Sequence, residues 1–259
     1  MYPVSELYKS KIKELERTFE ARIQIQHSQG QLMLGDKDLV GGSFTYTESS
    51  QAGEDFTVGS VVASHIEFKV LNKAEYADID WEGATVIPTV GLLLSSEHDH
   101  DSEQYFLSPT YPAETELWEY VPLGRFNIDD VVRLRNTIDI KAIDNMIELD
   151  KPYSLSQLSY PATLYQIYVN ICNVADIAVG TASFPNSDYL VAARPDDSLT
   201  LRDVLSYVAS LAGRFARCSR TGALELAWYE PSGLTLGPGN RFEFRPKDYA
   251  VQIKGVMAT

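Results

Sequence analysis

The chain has 259 residues, 44% apolar and 22% charged, the composition of a folded globular protein with enough length for one large core or two ordinary ones. Its net charge of −14 is uneven: residues 1–150 hold 12 Lys/Arg against 27 Asp/Glu, net −15, and residues 151–259 hold 10 against 9, net +1. This balance argues against tight nucleic-acid binding, which needs clustered cations, though a nucleic acid can slide past such a surface. No apolar run reaches the roughly 20 residues of a membrane-spanning helix.

The N-terminal stretch "MYPVSELYKSKIKELERTFEAR" has no apolar signal-peptide core and is amphipathic instead. Tyr8, Ile12, Leu15 and Phe19, spaced four, three and four, predict a helix. Period two begins at "ARIQIQ", where Ile23 and Ile25 alternate with polar residues, and continues through Leu32 and Leu34 and through Ile66, Phe68 and Val70 in "SHIEFKVLN". "TVIPTVGLLL" and "ELWEYVPLGRF" read as strands. "VVRLRNTIDIKA" reads as one long strand with Val132, Leu134, Ile138, Ile140 and Ala142 on one face. One-sided burial across several strands predicts an antiparallel barrel or sandwich up to about residue 145.

Between two of these strands lies "SSEHDHDSE", with His98 and His100 among four carboxylates. Structural metal sites draw ligands from a rigid scaffold, whereas loops between strands collect solvated charge. The stretch therefore reads as a solvated loop, and no metal ligand is assigned.

The second half is α+β. "YPATLYQIYVNIC" places Leu164, Ile167, Tyr168, Ile171 and Cys172 at helical spacing, after a proline suited to a helix start. "NSDYLVAA" is a short strand. In "SLTLRDVLSYVASLAG", Leu201, Val204, Leu205, Val208 and Ala212 form one stripe, Thr200 caps with Asp203 three residues on, and Gly213 ends the helix. The hairpin "RFARCSRTGALELAWY" admits two registers. A two-residue loop at Thr221–Gly222 opposes Arg217 to Leu226 and Cys218 to Glu225. A three-residue loop with Gly222 left-handed pairs Cys218 with Leu224, Ala216 with Leu226 and Arg217 with Glu225, which sorts apolar with apolar and is preferred. After the Gly/Pro-rich "EPSGLTLGPGN", a last β segment covers "RFEFRP" and "DYAVQIKGV". The expected organisation is 1–150, helix plus antiparallel β-barrel-like domain; 151–235, α+β domain; 236–259, the start of a second barrel.

The residues that draw attention have plain readings. Cys172 and Cys218 read as buried neutral thiols made in a reducing compartment. Gly59 reads as a bend in a strand. Gly124 and Arg125 in "PLGRF" read as a turn glycine and a surface or interface arginine. Asp129 and Asp130, adjacent in a strand, point to opposite faces and do not flank one bond. Asp139 and Asp144 have no histidine partner. The chain contains no G-x-S-x-G, H-E-x-x-H, P-loop or G-x-G-x-x-G. No catalytic, cofactor-binding or metal residue is assigned, and the expectation is a non-enzyme.

The order of motifs carries more. "FTVGSVVASHIEFKVLN", then "VPLGRFNIDD" and "AIDNMIELDKPY", then "YPATLYQIYVNIC" and "LTLRDVLSYVASLAGRFARCSRTGALEL" together resemble the hub proteins of tailed-phage tail tips in Gram-positive hosts, found also in prophages and phage-like injection machines. These are similar in fold to the baseplate hub of contractile phages. The resemblance implies a homotrimer whose barrels form a ring of six, adapting a six-fold tail tube to a three-fold tip. It implies a place in the virion after synthesis in the host cytoplasm. The partners it implies are the tail tube or distal tail ring, the tape measure, and tip or fibre proteins. DNA would pass through without tight binding. The second barrel is short of strands, which leaves either an N-terminal fragment of a longer hub or a reduced barrel; relatives also continue into a hydrolase or fibre module that this sequence does not show. Two rival readings remain from the residues: a glycan-binding β-sandwich using Trp81 and Trp118 with nearby tyrosines, and a metal-dependent hydrolase built on "EHDHD".

Overall fold

A computed structural model describes residues 2–50, 57–96 and 116–229. The stretch with His98 and His100, expected as a loop, and the expected β segment at 236–259 lie outside the described residues. Helix α1, Glu6–Lys11, is capped by Ser5, whose hydroxyl accepts from the Tyr8 N–H. It stops well short of the helix expected through Phe19. Tyr8 and Ile12 are half-buried, but Leu15 is fully exposed and Phe19 opens the first strand. An apolar stripe with no surface to cover does little to sustain a helix this short.

Strands β1 (Phe19–His27), β2 (Gly30–Leu34), β3 (Thr45–Thr47), β4 (His65–Leu71), β5 (Thr85–Ser96), β6 (Glu116–Pro122), β7 (Phe126–Arg133) and β8 (Thr137–Asp144) form one antiparallel sheet. Its order is β2-β1-β5-β7-β8-β4-β3, with β6 also on β5. The protein is mainly β with few helices, as the alternation predicts. Ile23, Ile25, Leu34, Ile66, Phe68, Val70, Ile138, Ile140 and Ala142 all face a first core with essentially no exposure.

Two expected strands are divided. "VVRLRNTIDIKA" is the tip of the β7–β8 hairpin, turning at Arg135–Asn136, where the Leu134 N–H donates to the Thr137 carbonyl at 2.8 Å. Val132 and Leu134 are about half exposed rather than buried. The cause is a bulge between Ile128 and Asp130. Before it the even-numbered Phe126 and Ile128 face inward; after it Val131 does, opposite Ile140. The extra residue leaves Asp129 and Asp130 both exposed, which strict alternation did not allow. "ELWEYVPLGRF" likewise breaks at residues 123–125, where the Gly124 backbone lies against the Phe126 ring; a Cβ there would sit 2.7 Å from Cε2.

A second core gathers helix α2 (Leu164–Ala175), helix α3 (Leu201–Leu211) and the hairpin β11 (Phe215–Cys218)–β12 (Leu224–Ala227). The expected stripes are buried on both helices. Each helix starts with a reciprocal capping box, Thr163 with Gln166 and Thr200 with Asp203. Pro161 sits two residues before the Thr163 cap rather than in the first turn, because Ala162–Thr163 (β9) is extended and pairs with Leu190–Val191 (β10). Gly213 has φ +63° past the end of α3. The hairpin adopts the three-residue-loop register: Cys218↔Leu224, Arg217↔Glu225 and Ala216↔Leu226, with Gly222 at φ +86°.

The described residues through Trp228 pack as one unit. A segment from the sheet half binds the two cores together. Gly59 N–H donates to the Arg214 carbonyl and Ala216 N–H to the Ser60 carbonyl, each at 2.8 Å, and Val61 bridges in parallel to Ala216. Gly59 bends no strand. It has φ +88° and lies so close to α3 that a Cβ would come 1.9 Å from Ser210 Oγ and 2.9 Å from the Ser206 carbonyl oxygen.

Candidate functional site: a cleft at the seam of the two cores

A concavity of about 600 Å³ opens where β3, the start of β7 and the β11–β12 turn meet, with Tyr2 at its rim. It brings together four residues that the sequence singled out separately: Gly124, Arg125, Asp144 and Cys218. Arg217 and Arg220 come with them from the hairpin, and Tyr46 and Glu48 from the end of β3.

Most of the charged groups there hold the seam; Arg125 instead reaches Gln26 of β1 at 3.5 Å. Asp144 is buried, and its two carboxylate oxygens accept from the backbone N–H groups of Ser64 at 2.9 Å and Met146 at 3.0 Å. Burial pushes its pKa above the ordinary carboxylate range despite those bonds. It also caps the 3-10 turn Asn145–Asp150, which carries the chain from the sheet into the second core. Arg217 is shared between Glu225 at 3.3 Å and Glu48 at 3.6 Å, and the Tyr46 hydroxyl donates to Glu48 at 2.6 Å. Arg220 donates to the Pro122 carbonyl at 2.7 Å and faces the Tyr2 ring. Asn145 Nδ2 donates to the Gly222 carbonyl at 2.8 Å.

Chemically this is an arrangement for attachment. Burial and the nearby Asp144 carboxylate push the Cys218 thiol upward, the opposite of what activates a thiolate nucleophile. Cys172, inside the second core, is pushed up to about 12 by burial. Among the described residues, no group of three or more His, Cys, Asp and Glu side chains is placed to hold a metal ion.

The remaining candidates lie elsewhere. Asp139 pairs with Lys69 at 2.6 Å on the exposed face of the sheet. Trp81 is buried in the first core, which removes it as a sugar platform. Trp118 is half-buried and stacked on Tyr120, with Gly91 of β5 beneath; a Cβ on Gly91 would be 2.6 Å from the Tyr120 ring. The Tyr120 hydroxyl reaches Glu20 across that glycine, and the Arg22 guanidinium lies 4.4 Å from the Tyr120 ring centre. Sequence reasoning missed the roles of Arg217 and Arg220 and the cleft itself. The only prior signal was the salt-paired register of the hairpin, which placed Arg217 beside Glu225.

No protein-family model matches the chain, and no curated protein matches it. Solved structures similar to it include the following three. A 43 kDa tail protein of prophage MuSo2 from Shewanella oneidensis aligns with 78% of this chain and 53% of its own, at 15% identity and a TM-score of 0.43. The prophage tail protein gp18 of Listeria monocytogenes aligns with 78% of this chain and 49% of its own, at 14% identity and a TM-score of 0.44. A chain in the virion of a native gene transfer agent particle aligns with 61% of this chain and 50% of its own, at 15% identity and a TM-score of 0.35. The chain spans about half the length of the solved chains it matches.

Proposed function

We propose that this chain is a structural component of a phage or prophage tail, acting as the hub of the tail tip or baseplate. The motif order along the sequence points to that family. The observation that carries the reading is the seam: sheet and α+β unit are locked by the Gly59–Arg214, Ala216–Ser60, Asn145–Gly222 and Arg220–Pro122 hydrogen bonds and by the shared Arg217. A part that transmits force between a tube and a tip must not hinge at such a junction, and Arg217 and Arg220 are engaged in preventing it.

In this reading three copies close a ring through a heterologous contact, one surface of each meeting a different surface of the next. The ring joins the tail tube to the host-facing tip. The 27 acidic residues of the first 150 give a channel wall that repels phosphate and lets DNA pass without sticking. The chain catalyses nothing in this role. Electron microscopy of the native particle tests it: three copies around the tail axis, with the acidic sheet nearest the channel, is the expected result. A six-fold or peripheral position overturns the hub assignment.

A further inference from the structure

Strand β7 pairs with β8 along its length but with β5 only at Phe126 and Asn127. The Leu134–Thr137 hydrogen bond fixes the alternation of the hairpin. Asp130 and Val132 therefore exchange hydrogen bonds with β8, while the amides and carbonyls of Val131 and Arg133 turn to the other edge. Among the described residues no strand pairs with that edge. A cleft of about 570 Å³ runs beside it, and across the cleft stands the loop leading into β5. Arg133 ties that loop down by donating to the carbonyls of Tyr76 at 3.1 Å and Ile79 at 2.8 Å.

Two further observations converge on this cleft. Asp80, Glu82, Asp129 and Asp130 line it, all exposed, and among the described residues none has a basic partner. Trp81 also lines it, is 3% exposed, and its Nε1–H is the single buried side-chain nitrogen or oxygen without a hydrogen-bond partner among the described residues. A bulge and paired acids alone would be explained as the guarding of an unused edge. Guarding requires no orphaned buried donor, and leaving one unpaired is unfavourable. A metal ion answers the carboxylates but cannot accept from an indole N–H. An extended peptide answers all three features: carbonyls for Trp81 and for the free edge, amides for the outward carbonyls of β7, and cationic side chains for the acids.

We propose that this cleft binds an extended, lysine- or arginine-rich segment of a partner protein, which adds as a strand to the free edge of β7. The test uses the full chain with 15N-labelled tryptophan, which gives three indole signals, that of Trp81 being assigned by its loss in Trp81→Phe. The probe is a ten-residue peptide of alternating lysine and threonine. The Trp81 indole proton should move downfield on titration. Affinity should fall at least tenfold in Asp129→Lys/Asp130→Lys, exposed positions whose melting temperature should hold, and at least tenfold again when alternate peptide amides are N-methylated. Should the double variant not fold, Asp80→Asn/Glu82→Gln makes the same comparison. An unmoved Trp81 signal at millimolar peptide overturns the proposal. So does equal binding by the N-methylated peptide, or the same shift produced by calcium chloride alone.

Discussion

Asn145, the first residue after the last strand of the sheet, donates its side-chain N–H to the carbonyl of Gly222, the left-handed residue of the hairpin turn 77 positions later. The contact makes Gly222 serve two purposes: its φ of +86° closes the three-residue loop, and its missing Cβ lets the turn seat on the sheet. A Cβ there would stand 2.9 Å from Asn145 Nδ2 and 3.2 Å from Arg125 Cβ. Gly222→Ala is expected to destabilise the protein by about 1–2 kcal/mol, from the left-handed backbone with the crowding added. Urea unfolding measures it, and Asn145→Ala should recover only part, because the backbone strain stays.

Gly59→Ala should be more damaging than Gly222→Ala. Its φ is also positive, and its Cβ would collide with Ser210 Oγ and the backbone carbonyl of Ser206. The hydroxyl can be removed and the carbonyl cannot. Gly59→Ala/Ser210→Ala should therefore stay well below the parent in melting temperature, and full recovery in that double variant would contradict the close approach described for α3.

Asp38 sets an acid limit on the first core. Burial alone would raise its pKa, but donation by Lys73 Nζ, the Gly35 N–H and the Tyr76 hydroxyl outweighs burial and holds it below the ordinary range. The folded state thus binds this proton less readily than the unfolded chain, whose carboxylate titrates near the usual value of about 4. The stability it contributes is complete above that value and is lost as pH falls through the lower folded pKa. Asp38→Asn should cost about 1–2 kcal/mol at pH 7. Between pH 5 and pH 2 the gap between parent and variant should narrow, as read from paired thermal melts.

If the stretch around His98 and His100 is the solvated loop that its sequence suggests, His98→Ala/His100→Ala should leave the melting temperature unchanged, with or without a chelator. A chelator-sensitive loss of several degrees in the parent, absent from the variant, would restore the metal reading.

What the sequence made legible was local. The α3 cap, its terminating Gly213 and the Arg217–Glu225 register each depend on residues within about ten positions, so spacing and side-chain chemistry decide them. The alternation in β1, β4 and β8 was equally readable because each has one buried face. The bulge at Asp129 was not, since nothing in "NIDDVVRL" distinguishes an extra residue from continued alternation, and the phase error then misplaced Val132 and Leu134. The seam cleft was out of reach for another reason. Arg125 and Arg220 meet only after the two cores have docked, and no short-range pattern encodes that meeting.

The bridge from Val61 to Ala216 has a consequence for the order of synthesis. Val61 and Ala63 emerge with the sheet half, yet they pack against the second core, whose hairpin is translated more than 150 residues later. Until α3 and then the hairpin have emerged, this segment lacks its docking surface. Closure across such a separation is slow and exposes an unpaired edge while it waits. A nascent chain stalled before residue 216 would therefore offer a protease or a chaperone the stretch around residues 57–63, and the same stretch would become protected when Ala216 leaves the ribosome and the hairpin closes over it.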